Sequence, residues 1–232
     1  MIGGIIFDKD GTLFDFRRTW AAWAARLMLD LAQGDAARAQ MLGRVVGFDL
    51  ATGDFAWDSP VIGRTPGELA DLLAPHVPGC VPARLVERMN TLALEVPLAE
   101  AVPLRPLLAA LRGRGLRIGL VTNDAEAPAH AHLNRAGVAD LFDFVAGCDS
   151  GHGAKPAPGQ LLAFCAVTGL DPRHVVMVGD SLHDLHAGAN AGMRCVGVLT
   201  GIAGTEELRP HADAVLPDIG GLPGWLDHLA AA

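Results

Sequence analysis

The sequence predicts an α/β fold: a doubly wound parallel sheet, with a helical segment inserted after its first strand. Two observations predict the sheet. Short β-rich runs alternate with stretches of helical periodicity, the pattern of βαβ units, and several runs are nearly continuous in apolar residues, as strands covered on both faces should be. A third predicts the insertion, because from Phe14 to about Val102 the alternation stops and the pattern is helical.

The strands are expected at residues 4–7, 116–121, 142–146, 174–178, 195–199 and 212–216. Between and after them, helices are expected at 104–112, 126–136, 158–168, 184–191 and 222–230. The insertion carries helical patterns at 18–33, 35–42, 66–73 and 82–94. Within it, residues 45–57 read V-V-G-F-D-L-A-T-G-D-F-A-W, and a Thr52-Gly53-Asp54 turn between two aromatic-containing runs predicts a small hairpin. Pro97, Pro103 and Pro106 mark the return to the sheet, and the outbound crossing falls near Asp15. The expected organisation is therefore a catalytic core of residues 1–14 and 101–232 and a helical cap of residues 15–100, joined by two crossings that make a hinge.

At 232 residues the chain can bury a substantial core without disulfides or structural metal. Half of it is apolar and 19% is charged, too hydrophobic for disorder. The net charge is −8 and no basic run could track a phosphate backbone, so nucleic acid is not expected as a partner. The longest apolar-looking helical pattern, residues 19–32, is interrupted by Arg26 and Asp30, and no membrane span is expected. The start of the chain reaches Asp8, Lys9 and Asp10 at once, unlike a signal peptide, so a soluble cytoplasmic protein is expected. Cys80, Cys148, Cys165 and Cys195 are dispersed, with no C-x-x-C pair, and read as buried thiols in a reducing compartment. His183 and His186 could share a helix face but have no third soft ligand near them. A monomer or a homodimer is equally compatible with the sequence.

Four small constellations fall at strand ends. Asp8-Lys9-Asp10-Gly11-Thr12 places two carboxylates just past a buried strand, where they repel and need solvation or a cation. Thr122-Asn123-Asp124 follows the second strand; Asn123 and Glu126 have capping-box spacing, and such a helix start can bind an anion through free N–H groups. An ordinary helix cap accounts for the same residues. Lys155, in G-A-K-P, is one of only two lysines beside 16 arginines, pointing to a need for a compact point charge; Pro156 can open the next helix. Gly179-Asp180-Ser181-Leu182-His183-Asp184 follows the fourth strand, and a helix beginning there would stack Asp180 and Asp184 on one face, unless Asp180 is simply its N-cap. Together with Asp8 these form an oxygen-rich set suited to Mg²⁺.

This ordered combination resembles the haloacid dehalogenase superfamily: D-K-D-G-T is similar to its first motif, Thr122 to its second, Lys155 in K-P-A-P to its third and G-D-S-L-H-D to its fourth. The resemblance covers the sheet domain, whose core would be Rossmann-like, and the insertion is similar to the family's C1-type cap. It implies phosphoryl transfer to Asp8 as nucleophile, with Asp10 as general acid and base. It further implies that Thr122, the Asn123 amide and Lys155 hold the transferring oxygens, and that Asp8, the Asp10 carbonyl, Asp180 and Asp184 serve the metal. Asp10 disfavours the dehalogenase branch, and a cap without lysine disfavours the Schiff-base branch. The overall form resembles phosphoglycolate phosphatases, implying a small phosphate ester such as 2-phosphoglycolate as substrate and Arg17, Arg18, Arg44 or Arg64 as a reader of its carboxylate. A β-phosphoglucomutase-like outcome and a receiver-like signalling module are the alternatives. Lys9, where an apolar residue is commoner, and His183, where Asn is commoner, depart from the pattern.

Overall fold

The computed structural model describes residues 1–231. The chain begins with β1 (Gly4–Phe7) and then leaves the sheet for α1 (Phe16–Leu31), α2 (Ala36–Val45), the short strands β2 (Phe48–Asp49) and β3 (Asp54–Phe55), α3 (Pro66–Leu73) and α4 (Pro82–Ala93). It returns through α5 (Leu104–Gly113), β4 (Arg117–Val121), α6 (Glu126–Arg135), β5 (Phe144–Ala146) and α7 (Gly159–Thr168). It ends with β6 (Val175–Gly179), α8 (Leu182–Ala191), β7 (Arg194–Val198), α9 (Thr205–Leu208), β8 (Ala214–Leu216) and α10 (Leu222–Ala231).

Six parallel strands pair in the order β5-β4-β1-β6-β7-β8. Numbered within the sheet alone this is 3-2-1-4-5-6, the doubly wound order, and it reverses between β1 and β6. Side-chain alternation explains why both faces are covered. Ile5 and Phe7 pack with Leu104, Leu108 and Leu111 of α5 and Leu222 of α10, whereas Ile6 between them packs with Leu161 and Phe164 of α7 and Ala187 of α8.

The inserted segment has an apolar cluster of its own, in which Trp20, Trp23 and Leu27 of α1 meet Leu42, Phe48, Phe55, Leu69, Leu73 and Met89. Each such side chain contributes about 1.5–3 kcal/mol on burial, which is how a segment of this size holds its shape. Its helices are also locally specified. The Asp15 side chain caps α1 by accepting from the Arg18 N–H, and Thr65 and Glu68 form a capping box around Pro66 at the start of α3.

Several expected boundaries move for identifiable reasons. The Asp15 cap starts α1 at Phe16 rather than residue 18, and Gln33 beyond its end has a positive φ. The hairpin exists as two-residue strands, but Asp54 lies in β3 opposite Asp49, so the turn is residues 50–53 rather than Thr52-Gly53-Asp54. Pro156 does not open α7, which starts at Gly159 after Pro158. Ser181 caps α8 and starts it two residues earlier than expected.

Candidate active site

The strand order decides where the site lies. β1 and β6 are neighbours, so the residues that follow them, Asp8 and Asp180, come together at the carboxyl edge of the sheet, at its topological switch point. Asp8 donates its backbone N–H to Val178 O at 2.9 Å, extending the pairing by one residue. Gly11 lets the chain turn back beside this edge: its φ is +81°, and a Cβ there would meet the Asp180 carboxylate.

Asp184 reaches the same point from the first turn of α8. Its Oδ2 accepts from the Ser181 N–H at 3.1 Å and the Ser181 hydroxyl at 2.7 Å, a capping box that aims Oδ1 at the Lys155 ammonium, 2.6 Å away. Asp180 is neither the N-cap nor a helical residue, so the expected stacking on one helix face does not occur; the pair converge because Ser181 caps between them. Lys155 Nζ also donates to Asp8 Oδ1 at 2.6 Å and to Val121 O at 3.3 Å.

The expected Asn123–Glu126 capping box is absent. Ala125 is the N-cap of α6, and the Glu126 N–H goes to Asp149. Two backbone segments claim the Asn123 side chain instead. Its Oδ1 accepts from the Lys155 N–H at 2.8 Å, and its Nδ2 donates to Lys155 O at 2.9 Å and Gly63 O at 2.7 Å. Asn123 therefore fixes the Lys155 loop and ties it to the inserted segment, leaving its backbone N–H as the group able to meet an anion. Thr122 is buried, and its hydroxyl accepts from the Asp124 N–H at 3.1 Å.

Asp8, Asp180 and Asp184 are all buried, and one oxygen of each lies within 4.8 Å of the others. One ammonium, Lys155, faces these three carboxylates, so the cluster carries more negative charge than it can balance. Burial, with Asp184 and Asp10 nearby, pushes the Asp8 carboxyl up to about 7 despite Lys155, and burial with Asp184 and Asp8 pushes Asp180 well above the carboxylate range. Burial opposes the charge of Lys155, but Asp184 and Asp8 outweigh it and hold the ammonium above its usual range. An all-oxygen, over-charged and buried set is what a hard divalent cation such as Mg²⁺ fits. The Asp10 carboxylate is not in this set. Its Oδ2 pairs with Lys9 Nζ at 2.8 Å, and its Oδ1 is buried without a hydrogen-bond partner among the described residues.

Asp8, Asp10, Thr122, Asn123, Lys155 and Asp184 line one cavity of about 60 Å³. That is room for about four to six water-sized centres. The inserted segment supplies the opposite wall, largely aromatic and aliphatic, from Phe16, Trp20, Trp23, Leu69 and Met89. Of the four candidate arginines only Arg64 lines it; Arg17 pairs with Asp54 on the surface.

Sequence reasoning noted Lys9 only as a departure and missed what it does. Lys9 is fully buried; besides Asp10 it donates to Asp124 Oδ2 at 2.9 Å and meets His132 Nδ1 at 3.1 Å, with its Nζ 5.1 Å from the Trp20 ring centre. His132 Nε2 is 2.7 Å from Ala93 O. A lysine can only donate and a carbonyl only accept, so His132 is neutral with its proton on Nε2. Burial, then Lys9, lowers its affinity for a second proton. The unfolded chain therefore protonates His132 more readily, and its contribution to stability is complete above pH 6.5 and declines as pH falls below it. Between pH 7 and 5, denaturant titrations of wild type should lose up to about 1.4 kcal/mol per unit more than those of His132→Gln; parallel profiles would refute this.

The geometry defines a buried acidic centre at the ends of two neighbouring strands. The haloacid dehalogenase-like hydrolase family model matches residues 2–192, and the chain belongs to that family. A phosphoglycolate phosphatase of Rhodospirillum rubrum is 31% identical over 96% of this chain and 90% of its own length. One of Neisseria meningitidis is 39% identical over 53% of this chain; there, as in the other first-ranked matches, the alignment spans only about half of the relative. Among solved structures, an HAD phosphatase from Thermococcus onnurineus superposes with a TM-score of 0.68 at 23% identity, covering 97% of this chain and 98% of that one. β-Phosphoglucomutase from Clostridium difficile gives 0.67 at 22%, over 96% and 93%. At these identities the structures speak for the fold.

Proposed function

We propose that the protein is a Mg²⁺-dependent phosphatase acting on a small phosphate monoester, with 2-phosphoglycolate the foremost candidate. The observation that carries this reading is the convergence of Asp8, Asp10, Thr122 and Lys155 on one small cavity beside an over-charged carboxylate cluster. In the first step an Asp8 oxygen bonds to the substrate phosphorus while the bond to the ester oxygen breaks, and Asp10 gives that oxygen its proton. In the second, water attacks the same phosphorus, passes a proton to Asp10, and the Asp8 carboxylate leaves. Lys155, the Thr122 hydroxyl and the Asn123 backbone N–H hold the phosphoryl oxygens; each such donor is worth about 10²–10³ in rate. Asp8, Asp180 and Asp184, with the Asp10 carbonyl, would hold Mg²⁺, which supplies charge neutralisation between anionic nucleophile and anionic ester.

Cap and core are read as separate units, residues 15–100 closing over residues 1–14 and 101–232. The hydrogen bonds Asn123–Gly63 and His132–Ala93 join them in the closed form. In that form the cavity would admit a small ester while the inserted segment limits the approach of bulk water. The test is phosphate release from a panel of small esters including 2-phosphoglycolate, with Mg²⁺ or EDTA. Mg²⁺-dependent release supports the phosphatase, and sugar bisphosphate in place of free phosphate would favour the mutase.

Arg64 is the cation placed to meet a substrate carboxylate. Arg64→Leu is expected to raise KM for 2-phosphoglycolate about tenfold, the worth of one exposed charge-assisted contact, and to leave KM for acetyl phosphate unchanged. An equal change for both would remove Arg64 from substrate recognition.

A further inference from the structure

The proposed reaction gives Lys9 no role, yet Lys9 is the most thoroughly enclosed charge among the described residues. Its side chain is fully buried between two carboxylates, an imidazole and an indole. Burying a charge this deeply is costly and is retained only with full pairing. If the pairing served stability alone, an apolar residue filling the same volume would serve as well.

We propose that Lys9 is a positioning residue that selects which oxygen of Asp10 exchanges the proton with substrate and water. This rests on the phosphatase reading above. The Lys9 ammonium holds Asp10 Oδ2 at 2.8 Å, so the carboxyl group cannot rotate about its last bond without breaking an ion pair. That leaves Oδ1, buried and without a hydrogen-bond partner among the described residues, as the oxygen not tied to a cation. Asp124 supplies a second carboxylate at 2.9 Å, so the charge of Lys9 stays balanced whichever way the proton on Asp10 goes.

The position of Lys9 is set from both sides of the cavity. Asp124 belongs to the loop after β4. His132, from α6, accepts from Lys9 through Nδ1 and donates through Nε2 to Ala93 O, the last residue of α4 in the inserted segment. Trp20 of α1 places its ring 5.1 Å from the same ammonium. Closing the inserted segment over the core thus completes the cage around Lys9 and, through it, fixes Asp10.

The test exploits leaving groups. Ethyl phosphate expels an alkoxide and needs a proton from Asp10, whereas acetyl phosphate, of nearly the same size, expels a stable carboxylate and does not. Values of kcat/KM report the steps through phosphoenzyme formation and are compared for wild type, Asp10→Asn, Lys9→Met and Lys9→Gln. Asp10→Asn should lose on the order of 10²-fold or more on ethyl phosphate and little on acetyl phosphate. If it loses both alike, the acid role of Asp10 fails and the phosphatase mechanism is wrong at that point, independently of Lys9. Given the Asp10 signature, Lys9→Met should reproduce its direction, losing at least tenfold more on ethyl than on acetyl phosphate. Lys9→Gln, which keeps one N–H donor toward Oδ2, should recover part of that loss. Equal losses on the two esters, or failure of both Lys9 variants to fold by thermal melting, would assign Lys9 to stability and overturn the proposal.

Discussion

Asp8→Asn is expected to lower phosphate release by on the order of 10⁴-fold or more while leaving the fold intact or firmer. The two effects have separate causes. Asparagine has the shape of aspartate but no anionic oxygen to bond to phosphorus, so the first step has no nucleophile. The same change removes one of three buried carboxylates that share a single ammonium, and Lys155 keeps Asp184 at 2.6 Å as its counterion. In metal-free buffer the variant should therefore melt no lower than wild type. Rapid quench of wild type with substrate should trap one phosphoryl group on Asp8 by mass spectrometry, and the variant should trap none. A variant that retains activity within tenfold, with its mass confirming asparagine, would sink the aspartyl-phosphate reading. Persistent wild-type phosphorylation without turnover would instead favour a signalling role.

Much of this site was legible in the chain because strand ends in a doubly wound sheet are predictable places. An apolar run followed by Asp, Thr or Gly-Asp locates a side chain at the carboxyl edge whatever the exact strand length, which is why β4 and β6 could each start one residue late without moving Thr122 or Asp180. Local rules failed where a distant segment outbid them. Asn123 and Glu126 have capping-box spacing, but the Lys155 backbone offers Asn123 both a donor and an acceptor in fixed register, and no local pattern encodes a partner 32 residues away. Lys9 is a different kind of miss. A lysine between two aspartates at the end of a buried strand, in a chain with one other lysine, was itself a signal that the position is paired. What sequence did not carry was the identity of the partners, since Asp124, His132 and Trp20 come from three different elements. The cavity wall was illegible for the same reason: Trp20, Trp23 and Met89 carry no local signal of a site, and only the packing of α1 against α4 turns that face toward Asp8 and Asp10.

Removing divalent metal should abolish turnover and also expose the cost of the carboxylate cluster, with a pH dependence of definite sign. Asp8 has its folded carboxyl raised from 3.8 to about 7, and Asp180 is raised in the same direction. A carboxyl whose affinity for protons is higher in the folded state stabilises that state fully below its unfolded value; the contribution is lost as pH rises through the folded value. In EDTA, stability should therefore fall between about pH 4 and pH 7, by up to about 1.4 kcal/mol per unit for each such group. On the proposed Mg²⁺ dependence the cation would bind the ionised cluster and reverse the penalty, so the gap in Tm between Mg²⁺ and EDTA should widen from pH 5 to pH 8. At a hundredfold excess over Kd the ligand contributes about 2.7 kcal/mol, or roughly 5–10 °C for a chain of this size. Asp180→Asn removes one proposed ligand and one repelling charge together, so it should melt higher than wild type in EDTA and gain little from Mg²⁺. Phosphate release that survives EDTA, with melting curves that coincide at pH 8 in the presence and absence of Mg²⁺, would show that the three carboxylates hold no catalytic cation and that Lys155 alone balances them.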